Sequence, residues 1–140
     1  MKTNVRYYHF FEDQRELFED VKDGIDHIDK SKLEWQRSNP WGSLLYSVPN
    51  MFDDEVQPSL QDKINQINDL LGGELSRLRY YERDGQSLII FVFDWERVDG
   101  DTYDIVYSKS RDALESYYSN RNVQYDLIKL DDDWYGTRIR

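Results

Sequence analysis

The sequence predicts an α+β fold. It reads as a single domain, residues 1–140, with a mainly antiparallel sheet of about five to six strands and three helices, in the order β-α-(irregular)-α-β-β-β-α-β-β. Three observations carry that reading. Ser87 to Trp95, SLIIFVFDW, is the one uninterrupted apolar run, and its large β-formers on both faces mark a central strand covered on both sides. Asp84-Gly85 sits between two strand-like stretches, as in a two-residue hairpin. Two other stretches repeat apolar residues at helical spacing.

Taken in order, Asn4 to Phe11 alternates as a first strand, with Val5, Tyr7, His9 and Phe11 on one face. Asp13 then serves as N-cap with Glu16 three residues on, a variant of the capping box, for a helix over Gln14 to Lys30. Leu17, Phe18, Val21, Ile25 and Ile28 form its core stripe, and Gly24 weakens it. Ser31 to Val56 is punctuated by Pro40, Gly42 and Pro49, and no regular element is assigned there. Pro58 or Ser59 opens a second helix with a stripe of Leu60, Ile64, Ile67, Leu70 and Leu71, ended by Gly72 and Gly73. Leu75 to Arg83, the central strand and Tyr103 to Tyr107 follow as an antiparallel meander, its second turn near Asp99-Gly100. Ser110 caps a short helix carrying Ala113, Leu114, Tyr117 and Tyr118. Val123 to Leu130 and Trp134 to Ile139 close the chain as strands joined by Asp131 to Asp133, the first running parallel to Tyr103 to Tyr107.

Composition limits the function classes. With 39% hydrophobic residues, including 11 Tyr, 6 Phe and 4 Trp, the chain can bury a core without staples, and the absence of cysteine removes disulfides, thiolate metal sites and cysteine nucleophiles together. No stretch has the length of a signal-peptide core or a membrane span, so a soluble cytoplasmic protein is expected, with no membrane partner. The lone alanine, Ala113, and the wealth of Asp, Asn, Tyr and Ile fit an AT-rich bacterial or phage gene. A net charge of −10 repels nucleic-acid backbones and favours encounter with cationic partners, although it also serves plain solubility.

The carboxylates are not spread evenly. Residues 12–30 hold eight acids and three bases, a net of −5, and Glu16, Glu19, Asp20, Asp23 and Asp26 share one face of the first helix with His27. Like charges four apart on a helix cost roughly 0.2–0.5 kcal/mol per pair, so a face tuned only for solubility would interleave lysines. DWERVDGDTYD gathers Asp94, Glu96, Asp99, Asp101 and Asp104 against Arg97 at one hairpin tip. It lacks the EF-hand spacing, and Asp-Gly turn chemistry accounts for part of it without any ligand. Asp131 to Asp133 is a third cluster, next to Trp134 and Tyr135, expected at the opposite end of the sheet from the hairpin.

No serine elbow, P-loop, dinucleotide fingerprint or zinc-protease motif occurs, and His9 and His27 are the only histidines. No enzyme, catalytic residue, metal or cofactor is therefore expected. In size, acidity and lack of cysteine the chain is similar to the immunity proteins that bacteria make against their own nuclease toxins, the barstar-type inhibitors among them. That similarity implies a non-catalytic inhibitor whose acidic surface complements a cationic active site, and being one of composition it assigns no residue. From the residues themselves, the partner surface is expected at Glu16, Glu19, Asp20 and Asp23 of the first helix, or at Asp94, Glu96, Asp99 and Asp101 of the hairpin, facing a basic protein such as a toxin. The rival expectation is an accessory protein that self-associates or scaffolds through its aromatic surface.

Overall fold

In a computed structural model of the chain, the structure describes residues 9–27, 43–47, 58–70, 75–83, 85–93, 102–121 and 123–139. The elements are helix α1 (Arg15–Asp26), strand β1 (Ser43–Ser47), helix α2 (Pro58–Leu70), strands β2 (Leu75–Arg83), β3 (Gln86–Phe93) and β4 (Thr102–Tyr107), helix α3 (Arg111–Asn120), and strands β5 (Tyr125–Asp131) and β6 (Trp134–Ile139). The strands form one six-stranded sheet in the order β1-β2-β3-β4-β6-β5, antiparallel at every pairing. The α+β expectation and the β2-β3-β4 meander hold.

β3 is central in both senses. Ile89, Phe91 and Phe93 point to one face, where they meet Phe18, Val21 and Ile25 of α1 and Leu60, Ile64 and Ile67 of α2. Leu88 and Ile90 point to the other, against Leu114, Tyr117 and Tyr118 of α3. Burial on both sides explains why Leu88 to Phe93 of this strand is apolar without a break instead of alternating. Gly85 closes the β2–β3 hairpin at φ +79, a left-handed conformation that glycine takes without a steric penalty. Ser110 caps α3 through its side chain, which accepts from the Ala113 N–H at 3.1 Å.

The N-terminal reading needs correction. Residues 9–13 are helical, not a strand, and residues 4–8 lie outside the described residues. The Gln14 N–H donates to the Phe10 carbonyl and the Phe18 N–H to the Gln14 carbonyl, so helical bonding passes through the point where Asp13 was expected to cap. Gln14, at φ −113, is the residue that precedes α1, and its side chain caps nothing. The cause is tertiary. Phe10 and Phe11 both pack on Phe18, with centroids at 5.8 and 5.5 Å, and Phe11 also meets Trp134 at 5.1 Å. A helical turn sends both rings to one side, whereas a strand would send them to opposite faces.

Smaller departures follow from the same packing. α1 ends at Asp26, and residues 28–30 of the expected helix, with Ile28, lie outside the described residues. Gly24 is a packing notch: a Cβ there would lie 2.8 Å from Leu60 Cδ1, so its absence lets α2 approach α1. Leu70, expected in the α2 stripe, is 56% exposed, while Leu71 lies outside the described residues. β1 adds an edge strand within Ser31 to Val56, where no regular element is expected from the sequence. β5 runs in the direction of β4, as expected, but β6 is inserted between them.

Candidate functional site

The acidic face of α1 does not act as a unit. Glu19 is turned toward the sheet, where its carboxylate accepts a hydrogen bond from Trp134 Nε1 at 2.6 Å. Asp20 faces α2 and pairs with Lys63 at 3.2 Å. Asp23, exposed, accepts from Lys22 at 2.7 Å, and its backbone carbonyl lies 2.7 Å from His27 Nδ1. Glu16 is exposed in the first turn, where the helix dipole favours a carboxylate. Asp26 is exposed at the last turn.

The hairpin surface cannot be placed in the same way. Asp94, Glu96, Asp99 and Asp101 lie outside the described residues. Asp104, grouped with them by sequence, is buried at 1% exposure beneath α3. Its carboxylate accepts a 2.5 Å hydrogen bond from the hydroxyl of Tyr118, itself fully buried. Burial first, then the charge and hydrogen bond of Asp104, hold the Tyr118 phenol well above its usual range. This pair belongs to the core and presents nothing to a partner.

What the sequence did not join, the fold does. The turn at Asp131 to Asp133 lies beside α1: Arg15 forms an ion pair with Asp131, and Trp134, which follows the turn, donates to Glu19 across a separation of 115 residues. Asp133 takes φ 64, a left-handed position that aspartate tolerates, and its carbonyl accepts from the Ser108 N–H at 2.9 Å. Asp132 is the exposed carboxylate of this turn, its side chain 95% exposed, with Lys129 at 3.8 Å.

Between helix and turn sits Tyr107, opposite Trp134 in the β4–β6 ladder and 5.2 Å from it ring to ring. Lys22 reaches over this ring, its Nζ 4.8 Å from the centroid. Burial raises the Tyr107 phenol; Lys22 opposes that, and the nearby charges of Asp133, Asp26 and Glu19 add to it. Burial works to lower the Lys22 ammonium, but Asp23, Tyr107 and Glu19 together outweigh it and hold its proton more firmly than usual. Carboxylates from two distant segments thus surround one aromatic ring and one lysine. No family model, curated protein or solved structure matches the chain.

The Asp131 to Asp133 turn was missed as part of the α1 surface because its proximity depends on β6 lying next to β4, and the Lys22–Tyr107 contact because it depends on α1 lying over β4. Among the described residues no three histidine, aspartate or glutamate side chains are grouped to hold a metal ion, and no helix is long and apolar enough to cross a membrane. His9 and His27 are both exposed, at opposite ends of the first helical stretch.

Proposed function

We propose that the protein is a non-catalytic binding protein of the immunity or inhibitor kind, which neutralises a basic protein such as a nuclease toxin through the surface shared by α1 and the β5–β6 turn. The observation that supports this reading is the meeting of these two acidic segments around Tyr107 and Trp134. Asp23, Asp26 and Asp132 project at the surface, where they aid encounter, while the ion pairs of Asp20 and Asp131 and the hydrogen bond of Glu19 fix the elements that carry them. The first-helix residues Glu16 and Asp23 remain as contact candidates. Glu19 and Asp20 become supports for the surface.

Self-association through aromatic rings is the weaker reading among the described residues, where Tyr103, Tyr117, Tyr118, Trp134, Phe91 and Phe93 are buried in the core. The two readings separate on salt. Steered association reaches roughly 10⁸–10⁹ M⁻¹s⁻¹ at low salt against about 10⁵–10⁶ for an uncharged encounter. The on-rate for the captured partner, followed by stopped flow, should therefore fall at least about tenfold as the Debye length shrinks from about 30 to 3 Å. An on-rate indifferent to salt refutes charge steering.

A further inference from the structure

The acidic surface shared by α1 and the β5–β6 turn already holds a cation, and that cation is its own. Lys22 lies along the surface with 14% of its side chain accessible. Its Nζ sits 4.8 Å from the centroid of the Tyr107 ring and donates to Asp23 at 2.7 Å. Glu19 adds negative charge near the ammonium, and Asp133, Asp26 and Glu19 add it near the ring. Burial works to lower the Lys22 ammonium, yet its proton is held more firmly than usual, so the surroundings as a whole favour a cation at this point.

Lys22 is also a replaceable occupant. Asp23 is 60% accessible, and an ion pair so exposed contributes little; a cation over a tyrosine ring at the surface adds only modestly. The rest of the arrangement does not depend on the lysine. Tyr107 is set by the β4–β6 ladder opposite Trp134, ring to ring at 5.2 Å and 63°, and the Trp134 indole holds Glu19 at 2.6 Å. Ring and carboxylate therefore stay in place when the ammonium leaves. A guanidinium suits them better than an ammonium does. It is planar, more weakly hydrated and stacks on aromatic faces, and its donors fan out in one plane, so it can cover the ring and reach more than one carboxylate at once.

We propose that Lys22 is a built-in placeholder on a guanidinium site made by Tyr107, Glu19, Asp26 and Asp133, and that an arginine of the basic partner displaces it. The inference rests on the α1 surface being the partner surface, and it names the group that is read there. Lys22 is tethered to the site, so a free guanidinium competes poorly with it, whereas an arginine carried on a docked partner is tethered as well.

The test needs no partner. N-acetyl-argininamide, and N-acetyl-citrullinamide as its neutral isostere, are titrated into the full chain up to about 100 mM, a range suited to one cation on one ring, with ionic strength matched by sodium chloride and shifts followed by NMR. In Lys22→Met the arginine compound should shift Tyr107 and the Trp134 indole N–H together, binding at least about threefold more tightly than to the wild type. Lys22→Gln should do the same if the methionine variant does not fold. Lys63→Met, which changes the net charge equally at a residue paired with Asp20, should stay like the wild type. Adding Tyr107→Leu to Lys22→Met should abolish the binding; Asp133→Asn, which tolerates the same left-handed backbone, should weaken it if the leucine variant does not fold. Equal binding to wild type and Lys22→Met, equal shifts with the citrulline compound, a gain in Lys63→Met, or binding that survives the loss of Tyr107 each overturns the placeholder. A failed titration beside successful capture of a basic protein removes the guanidinium site alone, and a successful titration beside failed capture removes the partner surface alone.

Discussion

Tyr118→Phe isolates the buried bond on which the α3 face rests. The substitution keeps the ring, which is 0% exposed, and removes only the hydroxyl that donates to Asp104 at 2.5 Å. Hydrogen bonds to charged groups contribute about 1.5–3 kcal/mol, and Asp104, 1% exposed, has no bulk water to replace the donor. A loss of about 2–3 kcal/mol is expected, or roughly 6–9 °C in melting temperature for a domain of this size. The pair also predicts a pH profile. Because the folded-state phenol is raised above its unfolded value of about 10, its contribution is fully present below pH 10 and is lost as pH rises toward the folded value. Urea unfolding of the wild type should show stability falling above pH 10, with up to about 1.4 kcal/mol per pH unit from each such phenol. Tyr117 and Tyr107, raised chiefly by burial, add to the fall in the same sense. Tyr118→Phe should be less stable at pH 7 yet lose less between pH 10 and 11. A variant within about 0.5 kcal/mol of wild type at pH 7, or one with an unchanged alkaline slope, refutes the reasoning.

Glu19→Ala should cost about 1–3 kcal/mol in chemical unfolding, because the buried Trp134 Nε1 loses its acceptor, whereas Glu19→Gln should restore most of that. Gly24→Ala should lie within about 1 kcal/mol of wild type, since the better helix propensity offsets the movement forced on Leu60 by a Cβ at 2.8 Å. Gly24→Val, which cannot be accommodated so simply, should be destabilised by about 1–3 kcal/mol in the same assay. Gly85→Ala should cost about 1–2 kcal/mol although a Cβ there meets nothing within 4 Å, because its φ of +79 is strained for alanine. A neutral result for Gly85→Ala in thermal melts contradicts a left-handed turn.

Local signals were legible wherever they agreed with the packing. Asp84-Gly85, the Ser110 cap, and the ends of Leu75 to Arg83 and Trp134 to Ile139 could be read directly, since turn chemistry and period change coincide there. Residues 9–11 could not, because a run of aromatics has no period and Phe18 and Trp134 decide on which side the rings lie. The insertion of β6 between β4 and β5 leaves no local trace, so the contact of Asp131 to Asp133 with α1 was invisible. Glu19 read as surface because its helical angle is polar, while its partner is a tryptophan 115 residues away. Asp104 read as part of a charged tip because sequence counts charges without showing which face a strand buries.

The most direct test of the proposed partner surface is parallel affinity capture, from a lysate of the source cells, with the wild type and with Asp23→Lys combined with Asp132→Lys. Both positions are exposed, their side chains 60% and 95% accessible, and neither anchors the helix to the sheet, so the variant should fold normally by circular dichroism. A basic protein retained by the wild type, released by rising salt and absent from the variant is the result predicted. Capture of the same proteins by both chains, or of no basic protein by the wild type, contradicts an acidic docking surface at α1 and the β5–β6 turn.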